Sequence, residues 1–160
     1  LSGAASPTLT ICSSASFYRH AVELARQLEA QGFAVLLPHS AKQMRDSGDF
    51  DLSHYQTWHA NPEDYHKKTE LMRRHFDEVE KGDAVLVIND EKRGVANYIG
   101  GNVLMEMSLA FYLRKPIFIL NGVPESSMLE EEIRGLEPVL LGGTIDGLRG
   151  RYDALTAGSR

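Results

Sequence analysis

Cys12 is the only cysteine among 160 residues, so no disulfide can close within the chain, and a reducing compartment is the simpler expectation. No apolar run comes near the ~20 residues that cross a bilayer. Positive charge is not in excess either. A formal net charge of −5 offers nothing to polymeric nucleic acid or to an anionic membrane surface. The opening LSGAASPTLT is small and polar and lacks the charged-then-apolar pattern of a secretion signal. It predicts a flexible N-terminus over residues 1–7 and a cytoplasmic protein.

The familiar cofactor motifs are missing as well. No GxGxxG follows the first strand candidate, no Walker A lysine loop occurs, and no serine occupies a GxSxG elbow. Ordinary dinucleotide, nucleoside-triphosphate and hydrolase-elbow sites are thereby unsupported. The six histidines, His20, His39, His54, His59, His66 and His75, show neither HExxH spacing nor a Cys/His pairing, which gives no metal site. Any chemistry here is expected to be free of metal and cofactor and to run through a carboxylate.

What is present is an ordinary globular composition, 42% hydrophobic and 24% charged, at the length of one domain. PTLTIC, 7–12, reads as a strand. A helix follows, with Phe17, Ala21, Leu24, Ala25 and Leu28 at helical spacing and Gly32 as its stop. FAVLLP, 33–38, is the second strand, completing a βαβ unit. Residues 39–61 read as a long, polar, irregular loop of the kind that covers a ligand site. Pro62 opens a helix to about Lys81, with Leu71, Phe76 and Val79 on its apolar face and Lys67, Arg73, Arg74 and Glu80 outside. DAVLVIN, 83–89, is nearly all apolar, as suits a strand covered on both faces. A helix from about Asn102, a strand PIFIL, a short acidic helix MLEEEIRGL and a strand PVLLGG complete the domain over 8–143. Residues 144–160 form a tail of weak periodicity, expected to be partly helical or loose. The alternation predicts one doubly wound α/β domain with a parallel sheet of about five strands, flavodoxin- or Rossmann-like.

Ligands in such folds lie beyond the C-terminal strand ends. Glu106 stands among apolar neighbours near a helix start, on the side of Val103, Ala110 and Leu113. It reads either as a first-turn acid that favours the helix end or as a partly buried carboxylate kept for function. Asn89 and Asp90 end the third strand, as ligand contacts or plain turn formers. Asp83 opens that strand, at the end opposite the ligands. Ser13, Ser14 and Ser16 either cap a helix or hold a phosphate. Cys12 reads as a small core residue.

The run NYIGGN…Glu106…Ala110…Lys115-Pro116, then a strand and Asn121, with TICSSASF before it and RRHFDEVEKGDAVLVIN in the middle, resembles the nucleoside 2-deoxyribosyltransferase-like superfamily, and its small bacterial members most. It covers about Thr8 to Leu141. The resemblance implies that Glu106 attacks C1′ of a nucleoside or nucleotide, forming a glycosyl ester while the base leaves. Asp83 or Asp90 would protonate the base. Ser13, Ser14, Ser16, Tyr18, Asn89, Gly100, Gly101, Asn102 and Asn121 would hold the substrate. It also implies a homo-oligomer, since relatives complete their sites from a neighbouring subunit. Transferases of this kind carry aspartate six residues before the nucleophile, where this chain has Gly100. Hydrolysis, as in the related deoxynucleoside-monophosphate N-glycosidases, is therefore expected over base transfer, although their GVGYE-like loop is absent. The alternative is a non-catalytic nucleotide-binding or sensing protein on the same fold.

Overall fold

The computed structural model describes residues 5–158. Residues 1–4, most of the expected flexible N-terminus, and residues 159–160 lie outside that range. In chain order the elements are β1 (Thr8–Ser13), α1 (Tyr18–Ala30), β2 (Ala34–Leu36), α2 (His39–Ser47), α3 (Tyr65–Lys81), β3 (Ala84–Ile88), α4 (Gly101–Tyr112), β4 (Ile117–Ile119), α5 (Glu130–Gly135), β5 (Val139–Leu140) and α6 (Leu148–Ala157). The five strands are all parallel and run in the order β2-β1-β3-β4-β5. This is the flavodoxin-like doubly wound arrangement, as expected.

Strand alternation sorts the core into two layers. Leu9 and Ile11 of β1, Ala84, Leu86 and Ile88 of β3, and Phe118 of β4 point to one face, where α1 and Leu148 of α6 cover them. Cys12, Val85, Val87, Ile117 and Ile119 point to the other, under Val79 of α3, Val103, Met107 and Ala110 of α4, and Ile133 of α5. Whatever α3 and α4 turn inward at the C-terminal end of β1 therefore meets Cys12.

Two expectations need correcting. Residues 39–61 are not an irregular loop: α2 occupies the first nine, burying Ala41 and Met44, and Gly48 closes it in a left-handed conformation at φ 74°. Short 3₁₀ turns follow at Leu52–His54, Thr57–His59 and Pro62–Asp64. The inward face of α3 is less apolar than its pattern implied. Leu71 and Phe76 are half-buried, while His75 and Glu78 are buried beside Val79. In the tail, read as partly helical or loose, α6 buries Leu148 completely, and Arg149 donates from Nη1 to the Gly32 carbonyl at 2.8 Å.

Candidate functional site

In this strand order the chain leaves β1 and β3 in opposite directions, so the crevice beyond their C-terminal ends is the place where a ligand is best accommodated. Glu106 lies there, 3% exposed. It is the sixth residue of α4, in the second turn and not the first, so the free amides of the helix start do not reach it and another group must hold it. That group is Asn102, one turn back, whose Nδ2 donates to Glu106 Oε1 at 2.9 Å. Lys68 of α3 in turn donates to Asn102 Oδ1 at 3.2 Å, which fixes the amide's orientation.

On the other side stands His75. Its Nε2 is 3.4 Å from Glu106 Oε2, a charge contact without hydrogen-bond geometry. Among the described residues both atoms are buried with no hydrogen-bond partner. The opposite ring nitrogen, Nδ1, lies 3.2 Å from Glu78 Oε2, and Lys42 of α2 donates to Glu78 Oε1 at 2.9 Å. The contacts thus run from Lys68 through the neutral amide of Asn102 to Glu106, and from there anion and cation alternate through His75 and Glu78 to Lys42. Burial works against the imidazolium. The carboxylate charge of Glu106 and the contacts with Cys12, Glu106 and Glu78 outweigh it, holding the His75 pKa well above its usual value. Burial also lowers the Lys68 ammonium from its usual range, opposed by Glu106.

Cys12 completes the group. Its sulfur, a His75 ring nitrogen and a Glu106 carboxylate oxygen lie within 4.8 Å of one another. Burial, reinforced by the Glu106 charge, pushes the Cys12 thiol up to about 12, so the free thiol is no nucleophile. No spacing in the sequence suggests a pairing of Cys12 with a histidine, yet the fold makes one.

Over this cluster is a small cavity of about 60 Å³, walled by Tyr18, Tyr55, Trp58, Lys68, His75 and Glu106 among others. That is room for a few waters. A second cleft of about 400 Å³ adjoins it, sharing Ala15 and Gln56 and lined further by Ser14, Ser16, His59, Lys92 and Arg93. Lys92 Nζ donates to Ser14 Oγ at 3.0 Å. Hydroxyls and two cations together suit an anion.

The other candidates from the sequence fall in different places. Tyr18 and Asn102 line the small cavity, Ser14 and Ser16 the larger cleft. Ser13 is buried, and its hydroxyl is used on the Ser14 carbonyl. Asn89 and Asn121 tie two strand ends together: Asn89 accepts from the Asn121 amide at 3.0 Å, Asn121 Nδ2 donates to the Asn89 carbonyl, and Asn89 Nδ2 to that of Gly122. Gly100 and Gly101 form the entrance to α4 and touch neither cavity. Neither acid expected to protonate the base lines the cavity over Glu106. Asp83 accepts from the Thr8 amide at 2.7 Å, at the N-terminal edge of the sheet, because a residue that opens a parallel strand faces away from the ligand end. Asp90 is paired with His20 at 2.7 Å and lines neither cavity. Sequence reasoning missed Lys68, His75, Lys92 and Arg93, since cations on an amphipathic helix or in a polar loop carry no mark of where they point.

The chain matches no protein-family model and no curated protein. Among solved structures it is similar to FerB, a flavoenzyme NAD(P)H:(acceptor) oxidoreductase from Paracoccus denitrificans. The TM-score is 0.43 and the identity 18%, over 84% of this chain and 74% of that one. A likeness of that degree carries nothing about ligand or chemistry. Among the described residues no helix is long and apolar enough to cross a membrane.

Proposed function

We propose that this chain is a cytoplasmic member of the nucleoside 2-deoxyribosyltransferase-like superfamily that hydrolyses the N-glycosidic bond of a nucleoside 5′-monophosphate, with Glu106 as nucleophile. One observation carries the proposal: a buried carboxylate with one oxygen held by Asn102 and the other in a charge contact with His75 but without a hydrogen-bond partner, beneath a cavity at the switch point of the sheet. In the first step Glu106 Oε2 forms an ester with C1′ as the C1′–N bond breaks, and the bond's electron pair goes to the base. Lys68, a cation at the cavity wall with a lowered pKa, gives the base its proton. Water then attacks C1′, its proton returns to Lys68, and Glu106 is released as carboxylate. The neighbouring cleft suits the 5′-phosphate, on Ser14, Ser16, Lys92 and Arg93.

One observation favours the alternative, a nucleotide-binding protein without turnover. The cavity above Glu106 is about 60 Å³, whereas ligand pockets run to roughly 300–1,000 Å³. On the catalytic reading the segment carrying Tyr55 and Trp58 must move aside for the sugar. Chromatography of free base from a panel of nucleosides and 5′-monophosphates decides between them. Catalysis predicts base release that falls at least about a hundredfold in Glu106→Gln. Lys92→Ala is expected to raise KM for monophosphates and leave nucleosides unaffected. Binding of monophosphates with no base released would establish the alternative.

A further inference from the structure

We infer that Cys12, His75 and Glu106 form a site for one zinc-like divalent cation. The three come from β1 of the sheet and from α3 and α4, which pack on the face to which Cys12 points, and their ligand atoms lie within 4.8 Å of one another. Zinc bonds of about 2.0–2.3 Å need only a modest contraction from that spacing. Each ligand is already oriented for the task. Nδ1 of His75 faces Glu78, itself held by Lys42, which turns Nε2 inward as the coordinating nitrogen. A carboxylate behind a metal-binding imidazole is the usual second layer of such a site. Asn102 holds Oε1 of Glu106 and leaves Oε2 for the ion. Nε2 and Oε2 are the two buried side-chain atoms that find no hydrogen-bond partner among the described residues; an ion between them would satisfy both.

The donors decide the ion. Sulfur, imidazole nitrogen and carboxylate oxygen together suit zinc and disfavour magnesium or calcium, which take oxygen alone. Three protein ligands leave a fourth position, which opens into the cavity of about 60 Å³ and takes water. On binding, the thiol and imidazolium protons pass to solvent.

Binding stands independently of the proposed reaction, but one consequence rests on it. An ion on Oε2 occupies the electron pair that would attack C1′, so zinc inhibits base release and chelation restores it.

The test is titration of chelator-stripped protein with Co²⁺ and Zn²⁺, read by absorption, calorimetry and native mass spectrometry. One ion per chain is expected, with a thiolate-to-cobalt charge-transfer band. Affinity should fall at least about tenfold in Cys12→Ser and in Glu78→Gln, and remain unchanged in His54→Ala, which alters the exposed cluster with Asp49 and Asp51. No charge-transfer band in the wild type, or binding lost with His54 and kept without Cys12, overturns the site. Because no substrate enters the titration, its outcome is separate from that of the base-release panel. Binding without base release would leave the ion site standing and remove the glycosidase reading.

Discussion

At the residue scale, His75 bears most of the electrostatic consequence. It is buried between two carboxylates, Glu78 and Glu106. Removing it leaves Glu106 with Asn102 alone and weakens the hold on Glu78. His75→Ala should therefore cost about 3 kcal/mol or more, a fall in Tm on the order of 10 °C, checked by thermal denaturation. Because the folded pKa of His75 lies well above its ordinary 6.5, the imidazolium stabilises the fold fully below about that ordinary value. The contribution fades as pH rises through the raised folded pKa. Metal-free protein should accordingly lose stability to denaturant as pH rises above the ordinary imidazole value of 6.5, and the loss should flatten in His75→Ala. An equal slope in both proteins would show that another group is responsible.

At the element scale, the approach of α3 to the sheet sets where His75 and Glu78 point. The turn from α3 into β3 passes so close to β1 that a Cβ on Gly82 would lie 2.3 Å from Thr10 Oγ1, the hydroxyl that donates to the Glu78 carbonyl at 2.8 Å. Gly82→Ala should destabilise by about 1–3 kcal/mol, read as a lower urea midpoint. A change within about 0.5 kcal/mol would mean the turn has slack. The strands were legible because β1, β3 and β4 are short apolar runs between polar breaks, and α1 because five apolar residues repeat at helical spacing. In contrast, α2 was hidden: Ala41 and Met44 are its whole buried face, too few to show a period, although Gly48 at its end was a usable stop signal. Glu106 was legible as a carboxylate facing the sheet. Its company was not, because Cys12, His75 and Lys68 are brought to it by crossovers that no local spacing records.

At the scale of the molecule, the parallel sheet places one polar cluster beneath the switch point and leaves α4 with a second demand. Its inner face packs Val103, Met107 and Ala110, yet its outer face is apolar too, with Met105 and Tyr112 exposed at helical spacing around the half-buried Leu109. Exposed apolar side chains on the outer face of a packed helix are often covered by a partner, which fits the homo-oligomer implied by the family resemblance, with α4 at its contact. Sedimentation velocity should find a dimer or larger species that Tyr112→Glu dissociates, and a wild-type monomer at micromolar concentration would contradict this. Intact mass spectrometry of the whole chain, quenched in acid during turnover, reads the covalent role of Glu106. Turnover should leave an added mass of one sugar phosphate, mapped by proteolysis to the peptide carrying Glu106 and absent from Glu106→Gln. Base release with no adduct on the wild type, or with undiminished rate in Glu106→Gln, would rule out Glu106 as the nucleophile.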